Sequence, residues 1–298
     1  MTTTTIRSSE RIDPESKKAM PRSPALISTV AGLKGAVVFD APLREMTSLR
    51  VGGPADVLVI PEDVEDLRQL VNQAYAVQMP LFVLGGSNVL IRDGGIRGVV
   101  ISLGKLTEVR NDSEDVLYAE AGIRMPRLIQ EAISRSLSGL EWAAGIPGTV
   151  GGAVVMNAGT QLGEMKDCLL AINMMSLEGS LSRIEAEALE FSYRHATLPP
   201  GIVVGAWLRL KQGIGSDIET AMKEYLQYRK NSQPLTQPNA GSVFKNPSST
   251  SAGKLIEEAG LKGFRIGDAK VSTKHANFIV NLGGATARDE VLSEFLSA

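Results

Sequence analysis

The residues of this 298-residue chain best suited to chemistry lie in two glycine-dense stretches. One is Gly85-Gly86-Ser87-Asn88. The other runs from 143 to 159, AAGIPGTVGGAVVMNAG, and holds Gly145, Gly148, Gly151, Gly152 and Gly159 with Pro147 and no charged side chain. Glycine loses more conformational entropy on folding than any other residue, so this density needs a cause. One cause is a backbone that turns sharply and lies against an anionic ligand, with N–H groups free to point at it. The other is a tight, buried turn between core elements. Two such stretches favour the ligand more than either alone.

Familiar nucleotide and hydrolase patterns do not fit. No G-x-G-x-x-G follows a strand, so the dinucleotide fingerprint is missing. Gly104-Lys105 resembles the end of a P-loop, but its spacing from Gly98 is wrong and Leu106 stands where Ser or Thr is needed. Neither Ser87 nor Ser242 sits in a G-x-S-x-G elbow, and no local pattern joins His195 or His275 to a serine nucleophile. A single cysteine, Cys168, excludes an internal disulfide and a cysteine zinc cluster, and two histidines are too few for a histidine metal site. Lys plus Arg number 31 against 33 Asp plus Glu, a formal charge of -2, with 5% aromatics. That balance carries no electrostatic footprint for nucleic acid or anionic membrane and no base-stacking surface. Residues 1–24 are rich in Ser, Thr, Arg and Lys without an apolar core; they read as a disordered tail, not a signal peptide.

The elements that must position the loops follow from periodicity. A short helix over 25–33 and a strand from Gly35 to Phe39 open the ordered chain. A turn from Met46 to Ala55 leads to a strand from Asp56 to Ile60. Val64, Leu67, Leu70, Val71 and Ala74 recur at helical spacing, predicting an amphipathic helix over 63–77. Pro80 to Leu84 reads as a buried strand delivering Gly85-Gly86, and Gly98 to Leu103 as the next strand. This is an α/β pattern. Val116 to Ala121 reads as a strand, and Leu128, Ile129, Ala132, Ile133 and Leu137 share one helix face. Short strands and turns fill 169–204, ending in a strand from Ile202 to Leu210. Ser216 is the expected N-cap of a helix to about Lys230, with Ile218, Met222, Tyr225 and Leu226 inward. A proline-punctuated loop reaches Asn239 to Pro247. A helix from Ser251 to Ala259 stopped by Gly260, a strand from Ala276 to Leu282 and a helix opening at Thr286 complete the chain.

Phe82 to Leu90, FVLGGSNVL, resembles the pyrophosphate loop of the vanillyl-alcohol-oxidase type of FAD-binding fold, and Ala144 to Gly159 resembles its second flavin-contacting segment. Together with Thr47 to Asp56, Tyr193-Arg194, Asn239 to Pro247 and Gly260 to Asn281, they closely resemble the UDP-N-acetylenolpyruvoylglucosamine reductase family, in order from about residue 40 to residue 285. The resemblance implies an α/β protein: an FAD-binding domain in two parts, 25–105 and 106–212, and a smaller α/β substrate-binding domain over 213–298. It implies that NADPH reduces FAD, and that hydride then passes to the enolpyruvyl double bond of UDP-N-acetylglucosamine enolpyruvate. A proton is added at the neighbouring carbon, giving UDP-N-acetylmuramate for peptidoglycan. The loops offer no histidine or cysteine for a covalent link, so the FAD is expected to be non-covalent. No nucleic acid, membrane or obligate protein partner is expected, and the location implied is the bacterial cytoplasm.

The family's roles carry over residue by residue. Arg194, in Phe191-Ser192-Tyr193-Arg194, takes the place of the arginine that stabilises charge spreading into the substrate carboxylate; read alone, it is equally an arginine capping a turn. Ser242 takes the place of the proton donor. A hydroxyl is a weak acid and needs a helpful neighbour, for which Lys245 is a candidate, as it is for binding carboxylate or phosphate. Read alone, Ser242 is a turn serine beside glycine. Tyr193, Arg229, Lys245, Asn246 and His275 are expected at the substrate, although a satisfied, half-buried histidine is an equal reading of His275. Backbone N–H groups of Gly85, Gly86, Ser87 and Asn88 are expected to cradle the pyrophosphate. Gly145, Gly148, Thr149, Gly151, Gly152, Ala153 and Asn157 are expected against flavin or diphosphate.

Two departures qualify the match. The short distance from Arg194 to the strand at Ile202 resembles the second type of the family, without the insertion whose tyrosine closes over substrate. The family also ends in a strand carrying a glutamate, its third catalytic residue, and this sequence stops at Ala298 before one; Glu290 and Glu294 lie in the preceding helix and are poor substitutes. Two other readings therefore stand beside the reductase. One is a catalytically impaired binder of flavin or UDP-sugar. The other is a flavin oxidase of the wider fold, against which Ser242, Lys245 and Asn246 argue.

Overall fold

Pro54–Ile60 and Ile96–Ile101 are rich in β-branched residues, and they lie side by side and parallel in the middle of a four-stranded sheet. The computed structural model describes residues 23–291. Ala36–Pro42 pairs antiparallel on one side of these strands and Leu81–Val83 parallel on the other. The helix Val64–Ala76 makes the crossover, with Leu67, Leu70, Val71 and Ala74 fully buried. Asp63 caps it by accepting the Asp66 N–H at 2.7 Å.

Asp66 fastens this unit. Its buried carboxylate accepts the backbone N–H groups of Lys34, Gly35 and Glu62 at 2.8, 2.8 and 2.9 Å. Burial pushes its pKa upward, and the three N–H bonds outweigh that, holding the group below the ordinary carboxylate range. A carboxyl depressed in this way contributes stability that is present above its unfolded pKa and is lost as pH falls through the folded one. Asp66→Asn turns an amide donor toward N–H donors. It is expected to lower unfolding stability by about 2 kcal/mol in urea melts at neutral pH. The gap from the parent should begin to narrow below about pH 4, the ordinary aspartate value, and close only as pH falls through the depressed value of the folded protein.

The second sheet is antiparallel throughout, in the order Leu181–Glu185, Leu169–Met175, Ile202–Arg209, Val116–Glu120, Val109–Asn111. Ile202–Arg209 lies at its centre and buries every residue but Arg209. The helix Met125–Ser134 turns Met125, Leu128, Ile129 and Ala132 inward. One hydrophobic core joins Val57, Val59 and Val99 of the first sheet to Leu117, Val204 and Leu208 of the second.

The helix Gly215–Ser232 lies against Met125–Ser134 of the second unit. The last unit is a three-stranded antiparallel sheet, Arg265–Ile266, Ala269–Val271 and Ile279–Asn281, with the helix Ala252–Glu258 packed on it through Ile256, Val271 and Ala276. It seats on the first unit through Ala269, Ile279, Ala285 and Ala287 against Leu49 and Val51. Asn281 Nδ2 donates to the Leu49 carbonyl at 2.9 Å, and Asp93 accepts the Ala287 and Arg288 N–H groups at 2.8 and 3.2 Å. Among the described residues no helix is long and apolar enough to cross a membrane.

Several local expectations change. Leu81–Val83 is an edge strand with a single neighbour, so Phe82 and Val83 are exposed rather than buried. Leu137 lies beyond its helix, in a two-residue strand paired with Lys211–Gln212. The long helix starts at Gly215, and Ile214 rather than Ser216 holds the N-cap position. Ile218 packs beside Ile129 and Ile133, which draws the first turn into helical form before Ser216. Residues 1–22 of the expected tail and Glu294 lie outside the described residues, whereas Ser23 caps the helix Pro24–Thr29.

Candidate active site

The edge strand Leu81–Val83 delivers the first glycine loop, and Thr149 caps the helix Val150–Val155 that carries the second. The loops face each other: a Cβ placed on Gly85 would stand 3.8 Å from the Gly152 Cα. Gly86 has φ +80° and Gly148 φ +97°. A side chain on Gly86 would strike the Met46 carbonyl, and one on Gly148 the Ser87 hydroxyl. Conformation demands glycine at both positions, and at Gly86 the backbone carbonyl excludes a side chain as well. Ser48 holds the first loop from behind; its N–H donates to the Gly86 carbonyl at 2.8 Å and its hydroxyl to the Ser87 carbonyl at 3.2 Å. The N–H groups of Gly85, Gly86, Ser87 and Asn88 donate to no acceptor among the described residues. Four consecutive N–H groups without a protein acceptor, on a loop packed beside a second glycine loop, are a donor set suited to a diphosphate.

Tyr193 and Arg194 occupy the tip of a hairpin between Glu190–Ser192 and His195–Thr197. Arg194 adopts φ +58°, and its Nη2 donates to the Gly159 carbonyl at 2.6 Å. Glu164 lies 3.9 Å from its Nη1 and pairs with Lys166 at 2.7 Å. The end of the second glycine stretch and the hairpin are thereby one assembly. Lys245 arrives from the last unit and donates to the Tyr193 carbonyl at 2.8 Å, its Nζ 5.9 Å from the ring centroid. The Arg194 guanidinium carbon stands 5.0 Å from the same centroid. Two cations thus lie near one exposed tyrosine ring where the last unit meets the hairpin. Ser242 is exposed on the loop that brings Lys245 there.

Residues 55–185 match the FAD binding domain family, and residues 233–292 match the UDP-N-acetylenolpyruvoylglucosamine reductase C-terminal domain. The UDP-N-acetylenolpyruvoylglucosamine reductase of Syntrophomonas wolfei is 43% identical over 85% of this chain and 86% of its own length. The chain belongs to the UDP-N-acetylenolpyruvoylglucosamine reductase family. The crystal structure of the Thermus caldophilus reductase of this family superposes with a TM-score of 0.78 at 42% identity, covering 89% of this chain and 94% of that one. Chitooligosaccharide oxidase shares the fold alone, at 15% identity and a TM-score of 0.52 over 63% of this chain and 43% of that one. The FAD-binding fold of the vanillyl-alcohol-oxidase type, expected from the loops, is the fold of this flavin-dependent oxidoreductase family.

Within this reductase fold, some residues expected at ligands are engaged inside the protein. Arg229 is buried, with Nη1 donating to the Ala144 carbonyl at 2.8 Å and Nε and Nη2 to Gln233 Oε1 at 3.0 and 2.9 Å. Burial lowers its pKa. It backs Gly145, whose φ of +74° places the turn against the guanidinium. Asn157 is fully buried; its amide donates to the Ser192 carbonyl and accepts the Lys166 N–H, each at 3.1 Å, tying the second loop to the hairpin. Ala153 lies in the core, and Gly151 packs closely on Ala121. Asn88 reaches Met156 Sδ at 3.3 Å across the two loops. Asn246 Oδ1 accepts the Ala252 N–H at 3.0 Å. His275 is half-buried beside Phe278, and burial, then nearby Lys262, hold its pKa below the ordinary imidazole range.

Sequence reasoning did not single out Ser48, Glu164, Asp93 or Asn281. Ser48 sits within the Thr47 to Asp56 segment that carried the resemblance, so a signal existed for it. Glu164 precedes Arg194 by 30 positions in a stretch without a motif, and only the fold shows that they meet.

Proposed function

We propose that this chain reduces UDP-N-acetylglucosamine enolpyruvate to UDP-N-acetylmuramate with NADPH, through non-covalent FAD, in peptidoglycan precursor synthesis. The observation that carries this reading is the cradle of four free N–H groups at Gly85 to Asn88, opposite Gly148 and Gly152 and in the same fold as the Arg194–Tyr193–Lys245 cluster. FAD, when bound, supplies the hydride relay between NADPH and the alkene. The cradle holds its diphosphate, and the Met46 carbonyl leaves no room for a side chain at Gly86.

Arg194 sits at the substrate carboxylate, where negative charge collects as hydride reaches the double bond. Its bond to Gly159 and the nearby Glu164 fix the guanidinium before that charge develops, which is the condition for electrostatic preorganisation. Ser242 Oγ–H delivers the proton to the neighbouring carbon, and the Lys245 ammonium three residues on favours the alkoxide left behind. Tyr193, Asn246 and His275 flank the substrate side. Arg229 contributes from behind, by holding the Ala144–Gly145 turn. This reading divides the chain into FAD-binding parts 25–105 and 106–212 and a substrate-binding part 213–298, in an enzyme of the bacterial cytoplasm.

The purified protein should be yellow. Under anaerobic conditions NADPH should bleach the flavin, and UDP-N-acetylglucosamine enolpyruvate should restore its colour. A protein that takes up no FAD, or whose reduced flavin is indifferent to that substrate, would overturn the assignment.

A further inference from the structure

Ser242 lies on a loop, 241–246, that belongs to no helix or strand. Gly241 before it has φ +85° and open space around it. Before Ser242 the Gly241 N–H donates to Asn239 Oδ1 at 2.9 Å, and after it no backbone bond within the loop fixes where the hydroxyl sits. The pairing comes from Asn277, which is 3% exposed. Its Oδ1 accepts the Phe244 N–H at 2.9 Å, and its Nδ2 donates to the Phe244 carbonyl at 2.9 Å. Its own backbone carbonyl accepts the Val243 N–H at 2.9 Å. The amide thus presents a donor and an acceptor to one residue, as a neighbouring strand would, and three bonds hold the two residues that follow Ser242. Asn277 is itself tied down, its N–H donating to His275 Nδ1 at 3.2 Å. Its buried amide is occupied by these partners.

We infer that Asn277 is a positioning residue for proton delivery: it sets the place of the Ser242 hydroxyl by supplying the strand edge that the 241–246 loop lacks. The inference rests on the reading of Ser242 as proton donor. A general acid works only within hydrogen-bond reach of its target, and a displacement of about 1 Å costs about 100-fold in rate.

The test separates the two half-reactions by anaerobic stopped flow on the FAD-loaded proteins. Ser242→Ala should slow reoxidation of the reduced flavin by UDP-N-acetylglucosamine enolpyruvate by about 100-fold or more. Asn277→Ala should slow it by about 10- to 100-fold. Both should leave flavin reduction by NADPH at the parent rate, which a general loosening of the fold would not. The double variant should be no slower than Ser242→Ala, because both act on one proton. Asn277→Asp adds a pH readout. A protonated carboxyl reproduces the amide's acceptor and donor toward Phe244, whereas the carboxylate repels the Phe244 carbonyl. Its reoxidation rate relative to the parent should therefore climb as pH falls from about 8 to about 5. The ionisable groups on this side are His275, whose Nδ1 accepts the 277 N–H, Lys262 and Glu257; comparing parent and variant in a common His275→Gln background takes the imidazole's own titration out of the ratio.

Parent-rate reoxidation in Ser242→Ala would remove the reading on which the inference stands. Slow Ser242→Ala with parent-rate Asn277→Ala, or a double variant slowed by the product of both effects, would overturn the role of Asn277 alone. If Asn277→Ala does not fold, the Asn277→Asp profile decides: a flat ratio to the parent overturns the inference.

Discussion

Arg194→Ala slows reoxidation of the reduced flavin by UDP-N-acetylglucosamine enolpyruvate by about 100- to 1,000-fold, the range for losing one preorganised charge partner, and leaves reduction by NADPH unchanged. The expectation follows from how the side chain is held. Its Nη2 bond to Gly159 and its approach to Glu164 define the guanidinium's position without the substrate. Little reorganisation is then needed when charge develops on the carboxylate. The residue stands at a hairpin tip, 30% exposed, so its removal should cost less than about 1 kcal/mol of folding stability. Arg194→Lys should recover only part of the rate, because a point ammonium cannot hold both the Gly159 carbonyl and a carboxylate in one plane. Stopped-flow traces of the two half-reactions, with a urea melt alongside, measure all three statements. Reoxidation at the parent rate in Arg194→Ala would remove this residue from the chemistry.

Gly86→Ala yields a protein that is purified largely colourless. At φ +80° an alanine is already strained, and its Cβ would collide with the Met46 carbonyl, a backbone atom held by the same turn that bonds the loop through Ser48. The loop must shift, and the four N–H groups shift with it. A strain of about 1–3 kcal/mol converts to a loss of FAD affinity of about 10- to 100-fold. Gly260→Ala is the control. Gly260 has a comparable φ, +74°, with open space around it, and it lies away from both loops. It should lose some stability and keep its flavin. Flavin-to-protein absorbance ratios and FAD titration of the apoproteins distinguish the two outcomes. Equal FAD affinity in Gly86→Ala and the parent would mean that the cradle does not hold the diphosphate.

Local physics made much of this protein legible from its residues. The spacing of Val64, Leu67, Leu70, Val71 and Ala74 places one face of a helix, and that face is buried in the core. The conformational cost of glycine singled out both loops, and positive φ at Gly86 and Gly148 is the backbone condition that demanded it. Motifs in order along the chain identified the family, because the loops and Tyr-Arg-type pairs are contiguous in sequence.

Pairing across distance was not legible. Arg229 clamps a carbonyl 85 positions away, Asn157 one 35 away and Asn281 one 232 away, while Asn277 meets Phe244 across 33. Each is a polar residue whose partner is a backbone group, and backbone groups carry no sequence signature. Leu81–Val83 is apolar enough for a sheet centre, yet strand order put it at the edge, where one face lacks cover. The sequence by itself determined the fold family, the glycine loops and the side chains available for chemistry. Only the tertiary structure decided which of those side chains stand free at the seam and which are spent holding it in place, because that division depends on which distant backbone groups folding brings within hydrogen-bond reach.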